Sequence, residues 1–70
     1  MNKHIILISY GRGTTAIFVE DILDICTRHF DGKRGSVITL KENFEKVSYN
    51  CTETVESLVA RINLILNHHE

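Results

Sequence analysis

The sequence contains no proline and no tryptophan, and its only cysteines are Cys26 and Cys51. So few cysteines exclude a disulfide-rich secreted scaffold, and we expect two reduced, buried thiols. No apolar run approaches the roughly 20 residues that a membrane-spanning helix needs. The N-terminal apolar run lacks the small-residue cleavage site of a signal peptide. These absences predict a cytoplasmic protein that makes no use of a membrane.

Neither sign of charge is in clear excess: eight basic residues nearly balance nine acidic ones. A net charge of −1 gives no bulk electrostatic attraction to nucleic acid or anionic lipid. Seventy residues suffice for one domain, here residues 1–70. A chain of this size buries only about 60% of its unfolded surface. Small domains of this kind usually need a partner subunit, a metal or disulfides, which favours a homodimer.

The C-terminal segment, residues 53–67, predicts an amphipathic helix. Its apolar residues recur with the spacing of one helical face, at Val55, Leu58, Val59, Ile62, Ile65 and Leu66. Asn50 or Thr52 is expected to cap the helix, because either side chain can accept a hydrogen bond from a free backbone N–H. Upstream, residues 3–10 predict a strand, and residues 37–40 and 44–49 predict a hairpin with a turn at 41–43.

Residues 15–30 fit two patterns. Val19, Ile22, Leu23, Cys26 and Phe30 are spaced as on one face of a helix, with acidic residues early and basic residues late. The alternative makes residues 16–19 a strand that pairs with the first strand through a Gly-Arg-Gly turn, followed by another strand near residues 23–27. By periodicity alone, the helix is favoured.

A resemblance favours the strands. The chain runs from an apolar strand through G-x-G to AIFVEDILDI, GSVITLKENFEKV and ETVESLVARI. This order resembles that of the short FlbD-like flagellar proteins and of similar small phage and mobile-element proteins. The matching positions are Gly11, Val19, Ile22, Ile25, Val37, Ile38, Leu40, Val47, Val55 and Ile62. The resemblance implies an α+β fold, a small antiparallel β-meander of three to five strands with one C-terminal amphipathic helix, and no catalytic residues. The alternative is a β-α-β-β-α fold with a helix at 15–30.

The stretch SYGRGTT contains the candidate anion-binding residues Gly11, Arg12, Gly13, Thr14 and Thr15. Gly-x-Gly-x-x-Ala after a strand satisfies the dinucleotide fingerprint, in which small residues let the backbone approach a pyrophosphate at a helix N-terminus. The ribose-binding acid expected about 20 residues later is missing, and the chain is too short for a doubly wound sheet. A hairpin turn is therefore the preferred interpretation, with a generic anion-binding loop as the alternative.

One basic concentration remains, between residues 28 and 34. We predict two interaction surfaces, an exposed edge of the sheet and this loop, which would act through Arg28, His29, Phe30, Lys33 and Arg34. Cations beside an aromatic ring could also contact phosphates and stack a base, so a nucleic-acid-binding regulator using Arg12, Lys33 and Arg34 is an alternative.

No spacing of nucleophile, base and acid indicates an enzyme. A zinc site would have to combine Cys26, His29, Cys51 and the terminal histidines without the usual paired spacing, so we predict no metal and no cofactor. The predicted function is a non-catalytic protein-interaction module. In the form that the resemblance suggests, it is a phage-encoded inhibitor or regulator that binds a host or phage protein. The third alternative is a small anion- or nucleotide-binding domain using residues 11–15.

Overall fold

Five antiparallel strands and one C-terminal helix make up the fold in a computed structural model that describes residues 3–42 and 44–67. The strands are β1 (Ile5–Tyr10), β2 (Gly13–Phe18), β3 (Ile22–Phe30), β4 (Lys33–Glu42) and β5 (Glu45–Cys51). A single 3₁₀ turn, Val19–Asp21, joins β2 to β3, and the helix α1 covers Val55–Asn67. The predicted α+β fold, an antiparallel sheet with one C-terminal helix, is confirmed.

The order of the strands in the sheet is β2-β1-β5-β4-β3, so the two edge strands are consecutive in the chain. In a flat sheet with strands about 4.8 Å apart, these edges would lie about 19 Å from each other. The chain from Phe18 to Ile22 can span at most about 14 Å. The sheet must therefore curl, and the core fills the concave side.

The alternative fold with a helix at 15–30 is wrong. Cross-strand pairing of β2 with β1, and of β3 with β4, overrides the helical spacing of this segment. Val19, Ile22 and Ile25 pack against the core, but Leu23 and Cys26, which belong to the predicted helical stripe, are exposed. An irregular register between Ile22 and Asp24 breaks the two-residue alternation, which explains why a strand here resembles a helix in sequence.

Two of the predicted loops are also wrong. Residues 28–34 form the end of a hairpin, because β3 and β4 pair up to Phe30 and Lys33 across a two-residue turn at Asp31 and Gly32. Both turn residues have positive φ, 49° and 75°, as a type I′ turn requires. The predicted turn at 41–43 is displaced, because β4 continues to Glu42; Asn43 lies outside the described residues.

The core consists mainly of branched aliphatic side chains from β1, β2, β4 and the helix, and the partly buried Ile22 and Ile25 of β3 pack against it. Its buried residues are Ile6, Ile8, Ile17, Ile38, Leu40, Cys51 and Leu58. On β1 the buried and exposed residues alternate, so that Ile6 and Ile8 face the core. Leu58 is the fully buried anchor of the helix.

Polar contacts hold α1 to the sheet. The N-cap is Thr54, whose Oγ1 accepts a hydrogen bond from the Ser57 N–H at 3.2 Å, so the predicted caps Asn50 and Thr52 are wrong. The buried Ser36 hydroxyl donates to the Glu53 carbonyl at 2.8 Å. The Arg61 guanidinium donates to the Leu7 carbonyl at 2.8 Å and to both Glu53 carboxylate oxygens. These bonds join the start of the helix to β4 and its middle to β1.

The join between β1 and β5 is short. Within these two strands, Tyr10 and Cys51 form the only cross-strand pair. The Tyr10 ring meets the Tyr49 ring edge to face, with centroids 5.0 Å apart. Strand pairing between the β1–β2 hairpin and the three-stranded meander β3–β4–β5 is therefore limited to one pair, and the two parts are held together mainly by the shared core.

Candidate functional site

The predicted interaction residues lie at the turn end of the β3–β4 hairpin, which we call the basic hairpin end (residues 28–35). Phe30 is paired with Lys33, and Arg28 with Gly35, so these four residues share one face of the sheet. His29 and Arg34 form the cross-strand pair that lies between these two pairs, and they are on the opposite face of the sheet. The turn therefore divides the predicted residues between two faces instead of presenting them as one loop.

Gly35 is the residue that lets the Phe30 ring lie on the sheet. A Cβ atom at position 35 would be 2.5 Å from the Cys51 carbonyl oxygen and 3.0 Å from the Phe30 ring. The absence of a side chain therefore creates the space that the ring occupies, as when an aromatic side chain covers a glycine on a neighbouring strand. Phe30 is half-buried as a result, with part of its ring left accessible.

Two shallow depressions, each of about 260 Å³, meet at this ring. Phe30 and Thr52 line both of them. The first is completed by Gly11, Asn50 and Cys51, and the second by Asp31, Lys33, Arg34 and Gly35. The structure thus brings Gly11, from the predicted anion-binding stretch, together with the predicted interaction residues.

Three cations, Arg28, Lys33 and Arg34, border this apolar surface on the side of the β3–β4 turn, where Asp31 lies among them. The Arg28 guanidinium carbon lies 5.9 Å from the centroid of the Phe30 ring, a cation–π distance. Lys33 and Arg34 line the second depression, and Arg34 forms an exposed 3.6 Å ion pair with Glu56. Because Arg12 follows Gly11 in the β1–β2 turn, a fourth basic residue belongs to this end of the molecule.

The preferred interpretation of SYGRGTT, a hairpin turn, agrees with the structure. Gly11, with a φ of 55°, and Arg12 form the turn, and Gly13, Thr14 and Thr15 begin β2. The helix that the dinucleotide interpretation requires after the glycines is replaced by this strand. Binding of an anion by residues 11–15 stays a prediction.

A second surface was not identified from the sequence. The convex side of the β1–β2 hairpin carries the cross-strand pairs Ile5–Phe18 and Leu7–Ala16, which we call the apolar hairpin face. Ile5 is 56% exposed, Leu7 57% and Phe18 41%. The uninterrupted run Ile5–Ile8 was the available signal, because a strand with one solvated face alternates between apolar and polar residues.

Phe44 is the third feature that sequence reasoning missed, since residue 44 was predicted to start a strand. Its side chain is 97% exposed at the β4–β5 turn, and its φ is 71°. Bulky residues rarely adopt this left-handed conformation, which glycine and asparagine tolerate. The turn therefore presents an aromatic ring to solvent at a cost in backbone strain.

The ionisable groups give no sign of an activated nucleophile. Cys26 is exposed, contrary to prediction, and the hydrogen bond from its Sγ to Asp24 Oδ1 (3.0 Å) raises the pKa of the thiol. Cys51 is buried, as predicted, and this burial raises the pKa of its thiol. Both thiols are thus held in the protonated form, which is the poor nucleophile.

The pKa values of two carboxylates, Glu20 and Glu53, are lowered from their ordinary value. Hydrogen bonds from His4 lower the pKa of Glu20, and the Arg61 guanidinium lowers that of Glu53. Both carboxylates bind partners on other elements: Glu20, in the 3₁₀ turn, accepts from His4 just before β1, and Glu53, before α1, accepts from Arg61 within the helix. These shifts therefore belong to structural contacts.

In residues 3–42 and 44–67, no three or more His, Cys, Asp or Glu side chains come together where they could hold a metal ion. His68 and His69, named above for zinc, lie outside the described residues. No helix in the described part of the chain is long and apolar enough to cross a membrane. No protein-family model, curated protein or solved structure gives a significant match to this chain.

Proposed function

We propose that this chain is a non-catalytic protein-interaction module whose binding surface is the basic hairpin end. The observation that carries the proposal is the meeting of Gly11 and Phe30 in one depression, although the two residues come from different hairpins. An apolar floor bordered by Arg28, Lys33 and Arg34 suits a partner segment with an apolar side chain next to acidic residues.

The size of the depressions supports a protein partner over a small-molecule ligand. Pockets for drug-sized ligands and cofactors typically enclose about 300–1,000 Å³. Each depression at Phe30 measures about 260 Å³ and is shallow. A single side chain of a partner fits this volume. Aromatic and arginine residues, here Phe30 and Arg28, are also the types that most often dominate the binding energy of protein interfaces.

The resemblance to small phage proteins suggests a specific form of this proposal, a phage-encoded inhibitor or regulator of a host protein. In that form, the basic hairpin end would bind an acidic, aromatic-containing segment of the host target. The nucleic-acid alternative uses the same cations, so the test must separate the two.

The test is an amide chemical-shift titration of the ¹⁵N-labelled protein with two short peptides, one with phenylalanine between glutamates and one with phenylalanine between lysines. We expect the acidic peptide to shift the amides of Phe30, Gly35 and Thr52, and the basic peptide to leave them unchanged. Equal responses, or none, would overturn the proposal. A short single-stranded DNA is the third probe, and DNA binding that exceeds peptide binding and weakens steeply with salt would replace the proposal by the nucleic-acid alternative.

Two charge-reversal variants provide the matched control. Lys33→Glu changes a lysine at the basic hairpin end, and Lys46→Glu changes one at the opposite end of the meander, where Lys46 pairs with Lys41. We expect Lys33→Glu to weaken binding of the acidic peptide by about tenfold, or roughly 1.4 kcal/mol, and Lys46→Glu to leave it unchanged. Equal losses would indicate a response to net charge only.

A further inference from the structure

The free edge of the sheet at β2 has the features of a pairing surface. The alternation of the β1–β2 ladder is fixed by the Val19 N–H, which donates to the His4 carbonyl at 2.8 Å. It follows that the backbone groups of Thr14, Ala16 and Phe18 point away from β1. A groove of about 200 Å³, lined by residues 15–18 with Leu40, Lys41 and Tyr49, borders this edge.

The other edge strand, β3, is protected against pairing. It contains the register irregularity at Ile22 and Asp24 and two charged side chains, Asp24 and Arg28. Bulges and charges are the devices by which proteins keep sheet edges from associating. By contrast, β2 has the sequence GTTAIF, without charge or proline, and all six residues pair regularly with β1.

We propose that a second copy of this chain pairs with β2 in antiparallel orientation, with Ala16 on the twofold axis. In this register, the outward-pointing backbone groups of Ala16 bond those of Ala16 in the second copy, and Thr14 lies opposite Phe18. An aromatic residue opposite a β-branched one is a favourable cross-strand pair, and it occurs twice. The small Ala16 side chain permits close approach at the axis.

The charges at the ends of β2 agree with this register. Arg12 lies four residues before Ala16, and Glu20 lies four residues after it. Antiparallel pairing about Ala16 therefore sets Arg12 of each copy opposite Glu20 of the other. The uncharged strand thus has a cation just before it and, in the 3₁₀ turn after it, a carboxylate that also accepts from His4, so an antiparallel pair of identical strands brings opposite charges together.

The homodimer inferred here is independent of the partner site at Phe30. Peptide binding tests that site, whereas the association state and the amides of β2 test the dimer. Sedimentation velocity over a wide concentration range should show a monomer–dimer equilibrium. A protein that stays monomeric at millimolar concentration, or that forms a dimer without protecting β2, would overturn the inference.

Amide hydrogen exchange identifies the paired strand. We expect the N–H groups of Thr14, Ala16 and Phe18 to become protected as concentration rises. Thr27 and His29 are the control, because the two-residue turn at Asp31 and Gly32 leaves their N–H groups pointing outward from the other edge. Their exchange should stay fast at every concentration, and protection on β3 in place of β2 would contradict the inference.

Three variants test the register. Ala16→Lys sets two like charges against each other at the axis and should give a monomer, whereas Thr27→Lys on β3 should dimerise like the parent protein. Arg12→Glu should weaken the dimer by about tenfold, since it creates two Glu–Glu contacts. Mixing Arg12→Glu with Glu20→Arg should restore a mixed dimer, because both ends are again complementary. Circular dichroism of each variant monitors the fold, and an intact Ala16→Lys dimer would overturn the register.

Discussion

The β1–β2 hairpin and the β3–β4–β5 meander differ in the polarity of their convex faces. In the meander, the convex cross-strand pairs are mainly polar, such as Thr39–Ser48 and Lys41–Lys46. In the β1–β2 hairpin, the corresponding pairs are Ile5–Phe18 and Leu7–Ala16. Both regions bury aliphatic residues on the concave side. The comparison teaches that the meander, apart from Phe30 at the basic hairpin end, presents mainly polar pairs to solvent, whereas the hairpin presents an apolar face of the kind found at interaction surfaces.

The sharpest way to break this comparison is to truncate neighbouring residues of β1 that point to opposite faces. Ile8 is 1% exposed and Leu7 57%. We expect Ile8→Ala to lower the free energy of unfolding by about 2–5 kcal/mol, because it leaves a cavity in the core. Leu7→Ala should cost less than about 1 kcal/mol. Urea denaturation at low protein concentration measures both, and similar losses would show that the convex face is buried in the monomer.

The meander and the hairpin also differ in the space that they leave beside a backbone glycine. Gly35, in the meander, has no room for a Cβ atom, whereas Gly13, in the hairpin, has nothing within 4 Å of the Cβ position. We expect Gly35→Ala to destabilise the fold by about 1–3 kcal/mol through overpacking against Cys51 and Phe30. Gly13→Ala should be neutral or slightly stabilising.

Thermal unfolding of the two alanine variants separates these outcomes. A neutral Gly35→Ala would mean that Phe30 does not lie against β4. The same variant should also displace the Phe30 ring, visible as altered ring-proton shifts, while Gly13→Ala should leave them in place.

The smallest change that we expect in the free energy of unfolding comes from a comparison of two turns of the meander. Asp31 and Phe44 both have positive φ, but aspartate tolerates this conformation far better than phenylalanine. We expect Phe44→Gly to raise the free energy of unfolding by about 1 kcal/mol, because it relieves backbone strain. Asp31→Gly should change it by less. Equal changes in a denaturation experiment would contradict the strain at Phe44.

Local sequence patterns predicted the elements whose periodicity is regular. The stripe from Val55 to Leu66 predicted α1, and the apolar run before Gly11 predicted β1. Residues 15–30 were ambiguous, because an irregular strand followed a 3₁₀ turn and their apolar residues happened to match a helical period. The dipeptide Asp31-Gly32 is a strong hairpin signal, but the basic residues on either side of it led to the prediction of a loop.

The candidate site was only partly predictable. Composition identified Arg28, Phe30 and Lys33, but nothing local indicates that Gly11 lies beside them. That proximity depends on the pairing of Tyr10 with Cys51, a contact between residues far apart in the chain. The conformation of Phe44 was equally hidden, since its residue type is typical of a strand and argues against a left-handed turn.

The three-residue link between the edge strands has a mechanical consequence. Val19–Asp21 keeps β2 within reach of β3 even if the pair between Tyr10 and Cys51 separates. To move the first hairpin away from the meander, that pair, the Arg61–Leu7 hydrogen bond and the packing of Ile6 and Ile8 in the core must all break, and the link would still keep the hairpin attached. The covalent link between the edge strands thus limits how far β2 and β3 can separate when the short pairing between β1 and β5 opens.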